Sequence, residues 1–108
     1  MIATPLPTVS GSKGSKPTLT FPDAEAPADL EIQVIDAGDG QIVEPGDTIV
    51  CNYLGQIWGG QVFDNSFDRG QPLSFQIGVG MVIRGWDEGL VGQRVGSRVL
   101  LSIPSELG

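Results

Sequence analysis

Glycine and proline punctuate this chain so densely that long regular elements have no room. Sixteen glycines and eight prolines among 108 residues point to short strands joined by many turns, because glycine opens tight turns and proline interrupts ladders. A length of 108 residues suits one small domain with a modest core, since a chain of this size buries only about two-thirds of its unfolded surface. The composition, 40% hydrophobic and 18% charged, is ordinary for a globular protein.

The punctuation is uneven. Before Asp29 lie five of the eight prolines, both lysines and the run Ser10-Gly11-Ser12-Lys13-Gly14-Ser15-Lys16. Such a segment has too little apolar surface to offset its ordering entropy, so residues 1–29 read as an extended or disordered arm. Residues 30–108 read as the folded domain.

Within that domain, alternation predicts strands. Leu30, Ile32 and Val34 share one face, and Asp36-Ala37-Gly38-Asp39-Gly40 and Pro45-Gly46-Asp47 are turn clusters. Thr48 to Gln56 reads as one strand with Ile49, Cys51 and Tyr53 on a common face. Trp58-Gly59-Gly60 makes a tight hairpin loop into Gln61-Val62-Phe63-Asp64. Leu73 to Ile77 and Arg98 to Ile103 alternate again, with Pro104 ending the latter. Only Val82 to Leu90 changes period: Val82, Ile83, Trp86 and Leu90 mark a short amphipathic helix, with Gly89 and Gly92 to end it. An antiparallel sheet with one short helix is an α+β plan.

Several chemistries drop out on residue type alone. The sequence contains no histidine and one cysteine, which removes Ser-His and Cys-His nucleophile systems, an internal disulfide and a zinc site. Gly78-Val79-Gly80 lacks the third glycine, the lysine and the Ser/Thr of a phosphate loop. A net charge of −7 with Lys+Arg at 6 argues against nucleic acid and against anionic membranes as partners. No run approaches the roughly 18 apolar residues of a membrane span, and Met1-Ile2-Ala3-Thr4-Pro5 lacks the basic and apolar regions of a secretory signal. A cytoplasmic location is the expectation. Cys51 reads as a small inward-facing hydrophobe.

The remaining motifs converge. Tyr53-Leu54-Gly55, Phe63-Asp64-Asn65-Ser66 with Arg69 following, Val82-Ile83-Arg84-Gly85-Trp86-Asp87-Glu88-Gly89-Leu90, Val95-Gly96 and Ile103-Pro104 occur in this order and at spacings that resemble the FKBP-type peptidyl-prolyl cis-trans isomerases. The resemblance implies a twisted antiparallel β-sheet wrapped around one short α-helix, with an apolar groove between them. It makes Trp86 the floor against which a substrate proline ring rests, with Tyr53, Phe63, Val82 and Ile83 as walls. The backbone N–H of Ile83 would hold a substrate carbonyl, and Asp64 with Arg69 would form a polar rim beside Tyr53. Leu73 stands where the family usually has an aromatic residue, and Met81 where some members have an acid. No cofactor or metal is implied. The implied partners are proline-containing peptides or unfolded proteins, and macrolide ligands.

Without the family match, Trp86 would read as core packing, Phe63 and Tyr53 as sheet-face residues, and Asp64 with Arg69 as a surface ion pair. Two other functions stay open beside isomerisation: a non-catalytic module that holds proline peptides or macrolides, and an inactive fragment. The family pattern continues after Ile103-Pro104 with a flap and a final central strand between Thr48–Gln56 and Arg98–Ile103. Without that strand, the resemblance implies open edges prone to aggregation or strand exchange. Leu6-Pro7 and Phe21-Pro22 place an apolar residue before proline, which makes the arm a candidate occupant of such a groove.

Overall fold

A computed structural model describes residues 6–108. Its strands are β1 (Thr8–Ser10), β2 (Thr18–Thr20), β3 (Glu31–Asp36), β4 (Thr48–Cys51), β5 (Leu54–Gln56), β6 (Val62–Asn65), β7 (Leu73–Gln76) and β8 (Arg98–Ser102). One α-helix, α1 (Arg84–Leu90), and a 3-10 turn at Ser105–Leu107 complete the described elements. The chain divides into two compact units: the chain up to Ala26 with Val50–Leu73, and Pro27–Ile49 with Ser74–Gly108. Antiparallel pairing with a single short helix is the expected α+β plan. Among the described residues the strands pair two by two, as β1–β2, β3–β8, β4–β7 and β5–β6.

The first unit corrects the reading of the arm. Residues 8–10 and 18–20 are not unstructured; they form a hairpin in which Val9 pairs with Leu19, Thr8 with Thr20 and Ser10 with Thr18. Its connection contains Gly11 and Gly14 at φ 107° and 90°. β-Branched side chains on both strands supply the propensity that the intervening serines and glycines lack. Residues 1–5 of the expected arm lie outside the described residues.

The expected strand Thr48–Gln56 also differs. It breaks at Asn52-Tyr53 into β4 and β5, which pair with different strands. The cause is Ser66, a fully buried hydroxyl. Its Oγ accepts the Tyr53 N–H at 2.8 Å and donates to Asn52 Oδ1 at 3.0 Å, while the Ser66 N–H donates to the Tyr53 carbonyl at 2.9 Å. These bonds replace a ladder at the break. The Trp58-Gly59-Gly60 turn forms as expected, with Gly59 at φ 65°.

In the second unit, Glu44-Pro45-Gly46-Asp47 is a type II turn: Gly46 has φ 91° and the Asp47 N–H returns to the Glu44 carbonyl at 3.1 Å. The buried hydrophobic residues Val43, Phe75 and Ile77 lie here. β3 and β8 run antiparallel with Ile32 opposite Leu101 and Val34 opposite Val99, and a bulge between Val34 and Asp36. No ladder joins β4 to β8 among the described residues.

The helix begins at Arg84, two residues later than its apolar period suggests, because Ile83 remains extended at φ −58°, ψ 148° as the N-cap. Gly89 does not end it. Gly85 and Gly89 are buried within it, where added Cβ atoms would meet Ile103 Cγ2 at 2.5 Å and Leu101 Cδ2 at 2.8 Å. The two glycines, one turn apart on one face, let α1 approach the end of β8 closely. The helix stops at Val91, whose ψ of 130° leaves the α region.

Candidate functional site

Among the residues expected to act, the first unit brings together Tyr53, Asp64 and Arg69. β5 and β6 set Gly55 opposite Asp64 and Leu54 opposite Asn65. The Tyr53 hydroxyl donates a short hydrogen bond to Asp64 Oδ2. Arg69 Nη1 donates to Asp64 Oδ1 at 2.7 Å, and Arg69 Nη2 donates to the Tyr53 hydroxyl at 2.9 Å. The three side chains thus close a ring of hydrogen bonds, with the guanidinium carbon 5.4 Å from the Tyr53 ring centroid. Asp64 is held below the usual carboxylate range, chiefly by the Tyr53 hydroxyl and then by the charge and hydrogen bond of Arg69. It is therefore an anion at neutral pH, suited to orienting rather than to giving up a proton.

Phe63 lies on the same hairpin and is 69% exposed. Its ring crosses Gly55 so closely that a Cβ there would sit 2.7 Å from Phe63 Cζ. Glycine at 55 is what leaves room for the ring tip against β5. Leu73, at the start of β7, is half-buried.

The second unit carries the other expected residues. Trp86 is half-buried on α1, its ring centroid 5.4 Å from that of Phe75 and tilted by 40°. Val82 is half-buried, while Met81 at 62% and Ile83 at 43% are exposed. The Ile83 carbonyl accepts the Trp86 N–H at 3.0 Å, so the first turn of α1 fixes the tryptophan relative to Ile83. Among the described residues the Ile83 N–H has no hydrogen-bond partner.

Three supports were not singled out from the sequence. Asp87 accepts the N–H groups of Gly78 and Gly80 at 2.7 and 3.0 Å, which pins the loop leading into Met81-Val82-Ile83. Phe75 backs Trp86; its inward place in the alternation of Leu73, Phe75 and Ile77 was the available signal. Asn65 and Asp68 bond reciprocally, Asn65 Nδ2 to Asp68 Oδ2 at 3.1 Å and the Asp68 N–H to Asn65 Oδ1 at 2.8 Å. Nothing in the order of residues announces that turn except an Asx residue placed three before an acid. Among the described residues no cluster of candidate metal ligands is present, and no described helix is long and apolar enough to cross a membrane.

Antiparallel strand pairs with one short helix that carries the tryptophan define an α+β domain of the FKBP-like fold. The family model for FKBP-type peptidyl-prolyl cis-trans isomerase matches residues 40–108. With more than half of its length so matched, the chain belongs to that family of isomerases. It is similar to the FK506-binding protein of Streptomyces anulatus, with 47% identity over 93 residues, 85% of this chain and 75% of the relative. FK506-binding protein 2 of Debaryomyces hansenii is 52% identical over 64 residues, 59% of this chain and 47% of that protein. The chain therefore spans three-quarters of one relative and about half of the other. The crystal structure of AtFKBP13 superposes with a TM-score of 0.70 at 38% identity, over 77% of this chain and 71% of that one.

Proposed function

We propose that this chain accelerates rotation about X–Pro peptide bonds in peptides and unfolded proteins. The supporting observation is the aromatic pair of Phe75 and Trp86, with Trp86 following in the first turn of α1 after Ile83, whose N–H has no partner among the described residues. In this reading the indole face of Trp86 receives the proline ring, Val82 and Met81 cover its apolar edges, and the Ile83 N–H donates a hydrogen bond to a substrate carbonyl. Tyr53, Asp64 and Arg69 present an ordered polar surface to the substrate backbone, and Phe63 and Leu73 contribute apolar contacts.

The chemistry asks for little else. Rotation about X–Pro breaks amide resonance, a barrier of about 18–20 kcal/mol. At its top the amide is twisted and less dipolar, because charge has returned from oxygen to nitrogen. An apolar, aromatic environment disfavours the planar amide more than the twisted one, and this difference is what raises the rate. No proton needs to move and no covalent bond forms, so a residue set without histidine suffices.

A protease-coupled peptide isomerisation assay on the whole chain tests the reading. Catalysis above the spontaneous rate is expected, with Trp86→Ala reducing kcat/KM by roughly tenfold or more. A folded chain that gives only the spontaneous rate overturns it. The half-buried aliphatic Leu73 favours a second reading, a module that holds proline peptides or FK506-type macrolides with slow turnover. Saturable macrolide binding without rate acceleration would select that reading. Cytoplasmic action belongs to the same proposal.

A further inference from the structure

The turn between Asp64 and Arg69 carries two side chains that bond the Tyr53 hydroxyl, so whatever holds that turn also sets the polar surface. Its interior is Asn65 and Ser66, both buried at 7% and 0% exposure. Its outer corner is Asp68, whose side chain is 64% exposed. Asn65 engages one oxygen of that carboxylate. A second group, 52 residues earlier in the chain, engages both: Lys16 Nζ lies 3.0 Å from Oδ1 and 3.1 Å from Oδ2.

Lys16 is not a loose side chain reaching out of a mobile arm. On its N-terminal side the β1–β2 hairpin is closed by the Ser15 N–H to Ser12 carbonyl bond at 3.0 Å and by Ser10 Oγ donating to the Thr18 carbonyl at 3.2 Å. On its C-terminal side the strand leads into a second anchor on the β5–β6 hairpin. Phe21 meets Trp58 edge-on, with ring centroids 5.3 Å apart. Trp58 Nε1 donates to the Ala24 carbonyl at 3.0 Å. Exposed ion pairs contribute little when two flexible chains must be frozen to make them. Here both partners sit on elements already ordered by other bonds, which removes much of that entropic cost.

We infer that Lys16 is a positioning residue: by clamping Asp68 it fixes the 65–68 turn so that Arg69 reaches Asp64 and Tyr53 together. This rests on the proposed role of the Tyr53–Asp64–Arg69 ring. The segment from Lys16 to Ala24 thereby belongs to the working part of the molecule, and Phe21-Pro22 serves as a strap on Trp58 rather than as a ligand.

The test uses the whole chain carrying Lys16→Met, which keeps the aliphatic stem, and Lys16→Arg, which keeps the charge. Lys16→Met is expected to lower kcat/KM about two- to fivefold, the range that loss of an exposed ion pair can produce, while the thermal midpoint stays within about a degree. The Arg69 side-chain N–H resonances should shift and broaden in Lys16→Met and return to wild-type positions in Lys16→Arg. Unchanged Arg69 resonances in Lys16→Met overturn the inference, and so does a midpoint that falls in step with activity. Absence of isomerisation in the wild-type chain would instead refute the functional reading, and the Arg69 resonances would still decide the role of Lys16.

Discussion

Asp64 shows how two neighbours decide what one carboxylate can do. It accepts from Tyr53 and from Arg69 on separate oxygens, and these bonds hold its titration below the ordinary range. A group whose folded pKa is depressed lends its stabilisation above the unfolded value, about 3.9 for aspartate. That contribution is lost as pH falls through the lower, folded value. The ring of hydrogen bonds should therefore survive mild acidity and dissolve only below the usual carboxylate range. A carbon-detected titration of the Asp64 carboxyl is expected to give a midpoint below about 3.9; a midpoint at or above it would show the ring to be broken in solution. Because Asp64 and Arg69 are each about half exposed, Asp64→Ala is expected to reduce turnover several-fold with little change in melting temperature. Equal losses of both would mark the residue as structural. Cys51 is the contrasting case: burial raises its thiol pKa, so it stays a neutral, poorly nucleophilic group at neutral pH.

Among the elements, what could be read from the sequence followed from period and punctuation. The Trp58-Gly59-Gly60 turn, the Glu44–Asp47 turn and the alternation of β7 and β8 each have a local cause, and all are present. The family resemblance points to Tyr53, Asp64 and Arg69 as site residues, and the structure brings their side chains together. What could not be read was long-range bonding that overrides a local pattern. Ser66 interrupts an otherwise strand-like Thr48–Gln56 from 13 residues away at Tyr53. Asp87 holds the Gly78-Val79-Gly80 loop through two backbone N–H groups, and Lys16 finds Asp68 across half the chain. Gly89 departs from its expected role for a related reason. A glycine near a helix end reads as a stop signal, yet its use here is the space it leaves for Leu101. That packing distinguishes the two helical glycines. At Gly89 an added methyl meets only the free ends of a leucine, which can turn aside, and gains about 1 kcal/mol of helix propensity. At Gly85 it meets three atoms of the β-branched Ile103 at 2.5, 2.9 and 3.0 Å, which has fewer rotamers to retreat into. Denaturant unfolding should show Gly85→Ala destabilised by about 1–3 kcal/mol and Gly89→Ala within about 1 kcal/mol of the parent. The reverse order would mean that α1 does not pack on β8 through these glycines.

For the molecule as a whole, the distribution of apolar surface matters more than its amount. Among the described residues, the buried aliphatic and aromatic side chains Val43, Phe75 and Ile77 all lie in the second unit. In the first unit the buried polar Asn65 and Ser66 take part in side-chain hydrogen bonds. Meanwhile Ile32 and Val34 are 43% and 46% exposed on β3, beside Leu101 and Val99 of β8. Two-stranded antiparallel pairs are marginal by themselves, and each leaves backbone edges that can pair with another chain. The β3–β8 pair combines such an edge with the half-exposed Ile32 and Val34, so this protein should self-associate as its concentration rises. Light scattering across a dilution series is expected to show apparent mass increasing with concentration, and the unfolding midpoint should rise with it, as mass action requires. Leu100 lies opposite Gln33 in the ladder, on the face away from the Leu101 side chain that packs against α1. Leu100→Lys should add an edge charge without disturbing the helix contact, and it should hold the protein monomeric with an unchanged far-ultraviolet circular dichroism spectrum. A wild-type mass independent of concentration would show that these edges are protected. Association that persists in Leu100→Lys would move the contact to another strand pair.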